Sequence, residues 1–341
     1  MRPYLIRIVA GVVCPGLIAA FSLKADPVRA QDLGTIILDR AQGIYYADAD
    51  DRSVRAIPVR DNIYVIVGAG ANITLQSGEN GALVVDSGSG QMSDEVLSLI
   101  GQISPWPVGY ILNTSYLPDH SGGNADLAMA GQAGRGRGRG RGGGGVAIAA
   151  HEAVMGRLSA PTGQEAPMPS EAWPTETFYG DYRDIYFNGE GIKMLHVPRA
   201  VTDGDTMVFF RRSDIVSSGD IFQATSYPMI DVAAGGTIHG VLDGLNLLLE
   251  IMIPEEKQEG GTIVIPGHGR ISDEADVVEY RDALTIIRDR IRDAIDKGMT
   301  LDEVQAAGLT RDYDGRYGSD TGSWTTAMFV AAVFETLGGG R

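Results

Sequence analysis

The sequence predicts an α+β protein built as a four-layer αββα sandwich. Short runs rich in Val, Ile and Tyr, separated by Gly and Asn turns, read as strands across 62–88 and again across 184–220. In each half these runs are followed by segments with helical spacing. Two halves of this kind bury their sheets against each other and leave the helices on the outer faces.

Residues 1–30 stand apart from this pattern. Arg2 and Arg7 precede an apolar stretch, and Val28-Arg29-Ala30 supplies small residues three and one before a cut. That is the layout of a secretory signal peptide cleaved after Ala30, which implies a secreted or periplasmic protein. A single membrane anchor is the alternative, for which the run is short. Cys14, the only cysteine, lies inside this segment, so the mature chain 31–341 offers no thiolate and any metal must use His, Asp or Glu. The formal charge is -16, and loss of four basic residues and one acidic residue takes it to -19. So acidic a chain excludes nucleic acid and anionic membrane as default partners.

The elements follow in order. "NIYVIVGAGANITLQSGENGALVVDSG" holds three strands, "SDEVLSLIGQI" a helix with Ser93 as N-cap, and "VGYILNT" a buried strand. "GRGRGRGRGGGG" (134–145) cannot bury a core and reads as an exposed flexible insertion. "VAIAA" resumes as a strand, "HEAVMGRL" begins a helix, and 159–178 read as a long surface loop. "DIYFN", "GIKMLHVP", "TMVFFRR" and "DIVSSGD" are strands, "VLDGLNLLLEIM" a helix, and "GTIVIPGHG" a strand that ends in a loop. Helices fill the C-terminal part, with "VVEYRDALTIIRDRIRDAIDKG", "LDEVQAAG" and "SWTTAMFVAAVFETL".

Four polar segments each follow a strand: "NTSYLPDHSGGN" (113–124), "PRAVTDGD" (198–205), "SSGDIF" (217–222) and "IPGHG" (265–269). Strand ends are where a rigid scaffold presents reactive groups. Each candidate also has a plain structural reading. Asp119 could cap the next helix, His120 and His268 could be buried and satisfied by carbonyls, and Asp220 could be a turn residue. Of the other histidines, His196 reads as a strand residue, His151 as structural, and His239 as a residue near a helix start.

In this order and combination, the four segments resemble the metallo-β-lactamase fold superfamily, and most closely its secreted bacterial metal-dependent hydrolases. The resemblance spans residues 62–292. It implies two adjacent metal sites, usually zinc. The first-site positions fall on Ser115, Leu117 and Val201, none of which replaces an imidazole. The second-site positions fall on Asp119, His120, Asp220 and His268, all ligand types. The resemblance therefore implies at most one zinc ion, with Asp119 also placed for catalysis. Three functions stay open. One is single-metal hydrolysis of an ester, thioester, lactam or phosphodiester in an unidentified small-molecule substrate. The second is an inactive homologue that binds a ligand or protein in the old cleft. The third is a metal-free scaffold.

Overall fold

The computed structural model describes residues 53–135, 145–161, 163–258 and 260–338, with a separate pair of short strands, β1 (Ile37–Asp39) and β2 (Gly43–Tyr45). The signal-type segment 1–30 and residues 136–144 of the Gly/Arg insertion lie outside the described residues.

Two sheets form the centre. The first has seven strands in sequence order: β3 (Arg55–Arg60), β4 (Ile63–Val67), β5 (Ile73–Gln76), β6 (Ala82–Val85), β7 (Val108–Leu112), β8 (Ala147–His151) and β9 (Glu176–Phe178). Its first four strands form an antiparallel meander; the rest pair parallel. Parallel neighbours need crossovers, and these contain α1 (Ser93–Ile103) between β6 and β7, α3 (Asn124–Arg135) between β7 and β8, and α4 (Glu152–Leu158) between β8 and β9. The second sheet has five strands: β10 (Tyr182–Phe187), β11 (Glu190–His196), β12 (Thr206–Phe210), β13 (Ile215–Gln223) and β14 (Ile263–His268). Only its last pair is parallel, and α5 (Ile238–Ile251) supplies the crossover.

Alternation along the strands decides which face each side chain joins. Ile63, Val65, Leu83, Val85 and Leu112 of the first sheet meet Ile192, Met194, Val208, Phe210 and Ile265 of the second in a buried seam. Their neighbours Ile66, Val84 and Ile111 face the other way, under Val96 and Ile100 of α1 and Leu127 of α3. Beyond the second sheet, Val241, Leu245 and Leu248 of α5 pack with residues of α6 (Glu274–Asp296) and α9 (Thr326–Thr336). The order of layers is therefore helix, sheet, sheet, helix, as the sequence predicts. Each such side chain contributes about 1.5–3 kcal/mol on burial. Among the polar ties across the seam, buried Glu190 accepts from Gln76 Nε2 of the first sheet at 2.7 Å, and also from Ser213 N at 2.7 Å.

Three expectations need correction. Residues 159–178 are not all loop, because β9 adds a short edge strand to the first sheet. Helix α3 runs on through Gly134 and Arg135, the first two residues of the expected Gly/Arg insertion. Strand β3 lies ahead of the predicted start of the sheet. Two short helices lie beside the C-terminal ones: α7 (Leu301–Ala307), which the sequence predicts, and α8 (Arg311–Tyr317), which it does not. No helix among the described residues is long and apolar enough to cross a membrane.

Candidate metal centre

The four singled-out side chains converge at one edge of the two sheets. Asp119 and His120 sit on α2 (Pro118–Ser121), a single turn that follows β7 and starts with a proline. Helix α2 uses Leu117, not Asp119, as its N-cap residue, so the capping reading of Asp119 does not hold. The Asp119 carboxylate turns instead to His268 at the end of β14, with Oδ2 3.0 Å from Nε2. Asp220 comes from β13, where the pairing with β14 is irregular on both sides of Gly219. Gly219 takes a left-handed φ of 52°, and a Cβ there would lie 2.8 Å from Thr114 Oγ1. A residue with a side chain would be strained and would clash, so glycine is what lets this irregularity aim Asp220 inward. Gly267 has a similar role, because a Cβ on it would lie 2.2 Å from Asp220 Oδ1.

Asp220 bridges the two histidines. Its Oδ2 is 3.3 Å from His120 Nε2 and its Oδ1 is 3.6 Å from His268 Nε2. The imidazoles meet edge to face with centroids 5.9 Å apart. His120 and Asp220 have side-chain exposures of 0% and 1%, whereas His268 and Asp119 keep 35% and 31%. The site is thus closed behind the first pair and open to solvent on the side of the second.

His120 is held from behind. Its Nδ1 donates to Asp86 Oδ2 at 2.7 Å, and Asp86 also accepts from the Thr114 N–H at 2.8 Å and from its hydroxyl at 2.6 Å. This fixes the tautomer and leaves Nε2 facing Asp220. Asp86 was not among the sequence candidates. The signal was an Asp at the end of a strand in "VVDSG", which looks like any turn.

Electrostatics follow from the geometry. Burial would raise the Asp119 carboxyl, but the His268 hydrogen bond and the charges of His120 and His268 outweigh it and bring it to about 2. Burial opposes charge on His120, yet Asp220 and Asp86 on either side raise it well above the histidine range. His268 is raised against its own burial by Asp119 and Asp220. Burial disfavours the Asp220 anion, and His120 overcomes this and lowers it. Nearby, buried Asp205 is pushed up to about 6, because desolvation outweighs its bonds from Thr202.

Do these residues suit a metal? His120 Nε2 and both Asp220 oxygens are buried with no hydrogen-bond partner. Buried polar atoms without a well-formed hydrogen bond cost about 1–3 kcal/mol each, and here the nearest approach is the 3.3 Å between His120 Nε2 and Asp220 Oδ2. Ligand atoms of Asp119, His120 and His268 all lie within 4.8 Å of one another. Asp220 is not part of that group but lies 3.3 and 3.6 Å from the two imidazoles; imidazoles and carboxylates are donor types that zinc takes. The positions Ser115, Leu117 and Val201 bring no such set. Ser115 accepts a bond from its own turn, the Leu117 N–H at 3.4 Å, and fully buried Val201 packs in the core beside α5. His196 ends β11 as expected, His151 caps α4 (Glu152–Leu158), and His239 is exposed at the start of α5 and does not belong to the group of converging ligand atoms.

Comparison with known proteins agrees with this fold. Residues 66–268, more than half of the chain, match the family described as the metallo-beta-lactamase superfamily. No curated protein matches the sequence. Among solved structures, a metallo-beta-lactamase from Pontibacter korlensis superposes with a TM-score of 0.50 at 16% identity, covering 68% of this chain and 99% of that one. The stereoselective inverting sec-alkylsulfatase Pisa1 from Pseudomonas sp. superposes with a TM-score of 0.59 at 16% identity, covering 84% of this chain and 51% of that one. This chain thus spans about half the length of the alkylsulfatase it matches. At such identities the likeness is one of fold.

Proposed function

The chain belongs to the metallo-beta-lactamase superfamily, and from that premise we propose that it is a hydrolase-like member that works with one metal ion, held by Asp119, His120, Asp220 and His268. The observation that carries this reading is the convergence of ligand atoms of Asp119, His120 and His268 within 4.8 Å of one another, beside buried Asp220, whose oxygens and the facing His120 Nε2 make no hydrogen bond of good geometry. Zinc fits the donor types. When bound, such an ion supplies Lewis acidity and makes water nucleophilic near neutral pH.

The chain's own residues have distinct parts in this proposal. Asp86 orients His120 through Nδ1. Asp220, sealed from water, fixes the inner wall. Asp119 sits at the open side beside His268, 31% exposed, where its carboxylate would meet and orient water. Leu117 and Val201 put apolar groups where the superfamily resemblance puts the first ion, and so the proposal has one ion rather than two. The substrate class is an ester, thioester, lactam or phosphodiester. The alkylsulfatase likeness adds alkyl sulfates to the panel worth assaying.

Those apolar groups also favour a second reading, an inactive homologue that binds a ligand or protein in the cleft. One measurement orders the readings. Purified protein should hold one zinc-type ion per chain by elemental analysis, and Asp220→Ala or His268→Ala should remove it. Two tightly held ions would overturn the single-site assignment. Metal uptake without turnover on any of the named substrate classes would favour the binding module.

A further inference from the structure

Between Ser115 and Leu117, two of the residues without donors, stands Tyr116. Its hydroxyl donates to Asp231 Oδ2 at 2.8 Å. Asp231 in turn donates its N–H to the Val201 carbonyl at 2.9 Å and receives Ala234 N–H on its other oxygen at 2.9 Å. Arg157 of α4 lies over the Tyr116 ring, its guanidinium carbon 5.2 Å from the centroid. The same guanidinium grips Asp203 with two bonds, Nε to Oδ1 at 2.9 Å and Nη2 to Oδ2 at 2.7 Å, and reaches the Ala234 carbonyl at 2.9 Å. Asp203 is tied through its backbone as well. Its N–H donates to Ala234 O at 2.9 Å, and its carbonyl accepts from His196 Nε2 at 2.9 Å.

These bonds join three loops and one helix around the three positions that lack metal ligands. An exposed ion pair alone stabilises little, and Arg157 and Asp203 keep 29% and 43% of their side-chain exposure. A bidentate fork that also binds a carbonyl and covers an aromatic ring is a different case, because its members hold one another in place. The loop so held leads directly into α2. Ser121 Oγ donates back to the Tyr116 carbonyl at 2.9 Å, which ties the far end of that turn to the same anchor.

We infer that Tyr116, Arg157, Asp203 and Asp231 are positioning residues, a metal-independent clasp that holds the Asp119–His120 turn in its ligand geometry where coordination at 115, 117 and 201 is missing. The inference rests on the single-ion reading above, and the test separates the two. Cobalt(II) is titrated into the chelator-treated full chain, with visible absorbance as the readout of both affinity and ligand field. Tyr116→Phe, which removes one oxygen, and Arg157→Met should each weaken cobalt binding about 10-fold and shift the visible bands. Arg157→Lys, which keeps the charge without the fork, should recover only part of this. Parent-like affinity and spectrum in both Tyr116→Phe and Arg157→Met would overturn the clasp. If the parent takes up no cobalt, the single-ion reading falls, and hydrogen exchange decides for the clasp by itself. Faster exchange of amides 115–121 in metal-free Tyr116→Phe than in the metal-free parent supports it, and equal exchange overturns it.

Discussion

At the scale of single residues, Asp86 gives the clearest handle on the centre. It takes a left-handed φ of 64°, a conformation that Asn tolerates as well as Asp does. Asp86→Asn therefore changes the charge behind His120 without straining the backbone. Loss of a carboxylate that orients a ligating imidazole costs about 10–100-fold in metal affinity. The expected outcome is a loss in that range, read by competition with a chromophoric chelator, with thermal stability of the ion-free protein reduced far less than by a core substitution. Unchanged affinity would mean that Asp86 is a turn residue and no more. The four donors were legible in the sequence because the order of the four polar segments resembles the superfamily, although Asp220 and His268 prove to lie within β13 and at the end of β14 rather than in loops after strands. Asp86 was not legible, because its role depends on β6 and β7 lying side by side, which brings Thr114 and His120 to it.

At the scale of an element, helix α4 illustrates how a histidine can be structural and still respond to pH. His151 Nδ1 accepts the Ala153 N–H at 3.3 Å, which caps the helix. The ring stacks on His196 with centroids 3.6 Å apart and planes 7° apart. Desolvation first, and then the proximity of His196, lower His151 from 6.5 to about 4. The unfolded chain therefore binds this proton more readily than the folded one. The stability that His151 contributes is full above pH 6.5 and is lost as pH falls through about 4. His151→Asn keeps a capping oxygen and removes the titration. Its urea midpoint should fall less steeply than the parent's between pH 6.5 and 4, and parallel curves for the two proteins would sink this account. Elements that escaped the sequence reading did so for local reasons. Strand β3 carries Pro58, which weakens a strand signal, although a proline is acceptable on the edge strand that β3 proves to be. Strand β9 has three residues in a stretch of Pro, Ser and Thr, and only its pairing with β8 makes it a strand.

At the scale of the whole molecule, the sandwich was legible because strand and helix periodicities switch twice along the chain, and two sheets with outer helices are what such a pattern can bury. The clasp was not legible, since Tyr116 and Asp231 lie far apart in sequence and meet only through packing. The scaffold also allows a test of the positions at which donors are missing. Ser115→His, Leu117→His and Val201→His together should create a second metal position. Leu117 and Val201 are buried, so two of the new imidazoles would cost about 1–3 kcal/mol each while unsatisfied. The triple variant should therefore melt below the parent in chelator and recover with zinc, with a second ion per chain by elemental analysis. A folded variant that takes up no further metal would show that these positions do not face one point. A last consequence concerns the order of folding. Asp119 and His120 sit on α2, which follows β7 of the seven-stranded sheet, and Asp220 and His268 on strands of the five-stranded one, so the four come together only when the halves dock. An ion cannot nucleate such a fold; it can only lock one already assembled. During refolding, ion capture should trail the return of helical circular dichroism, and its rate would time the final long-range step.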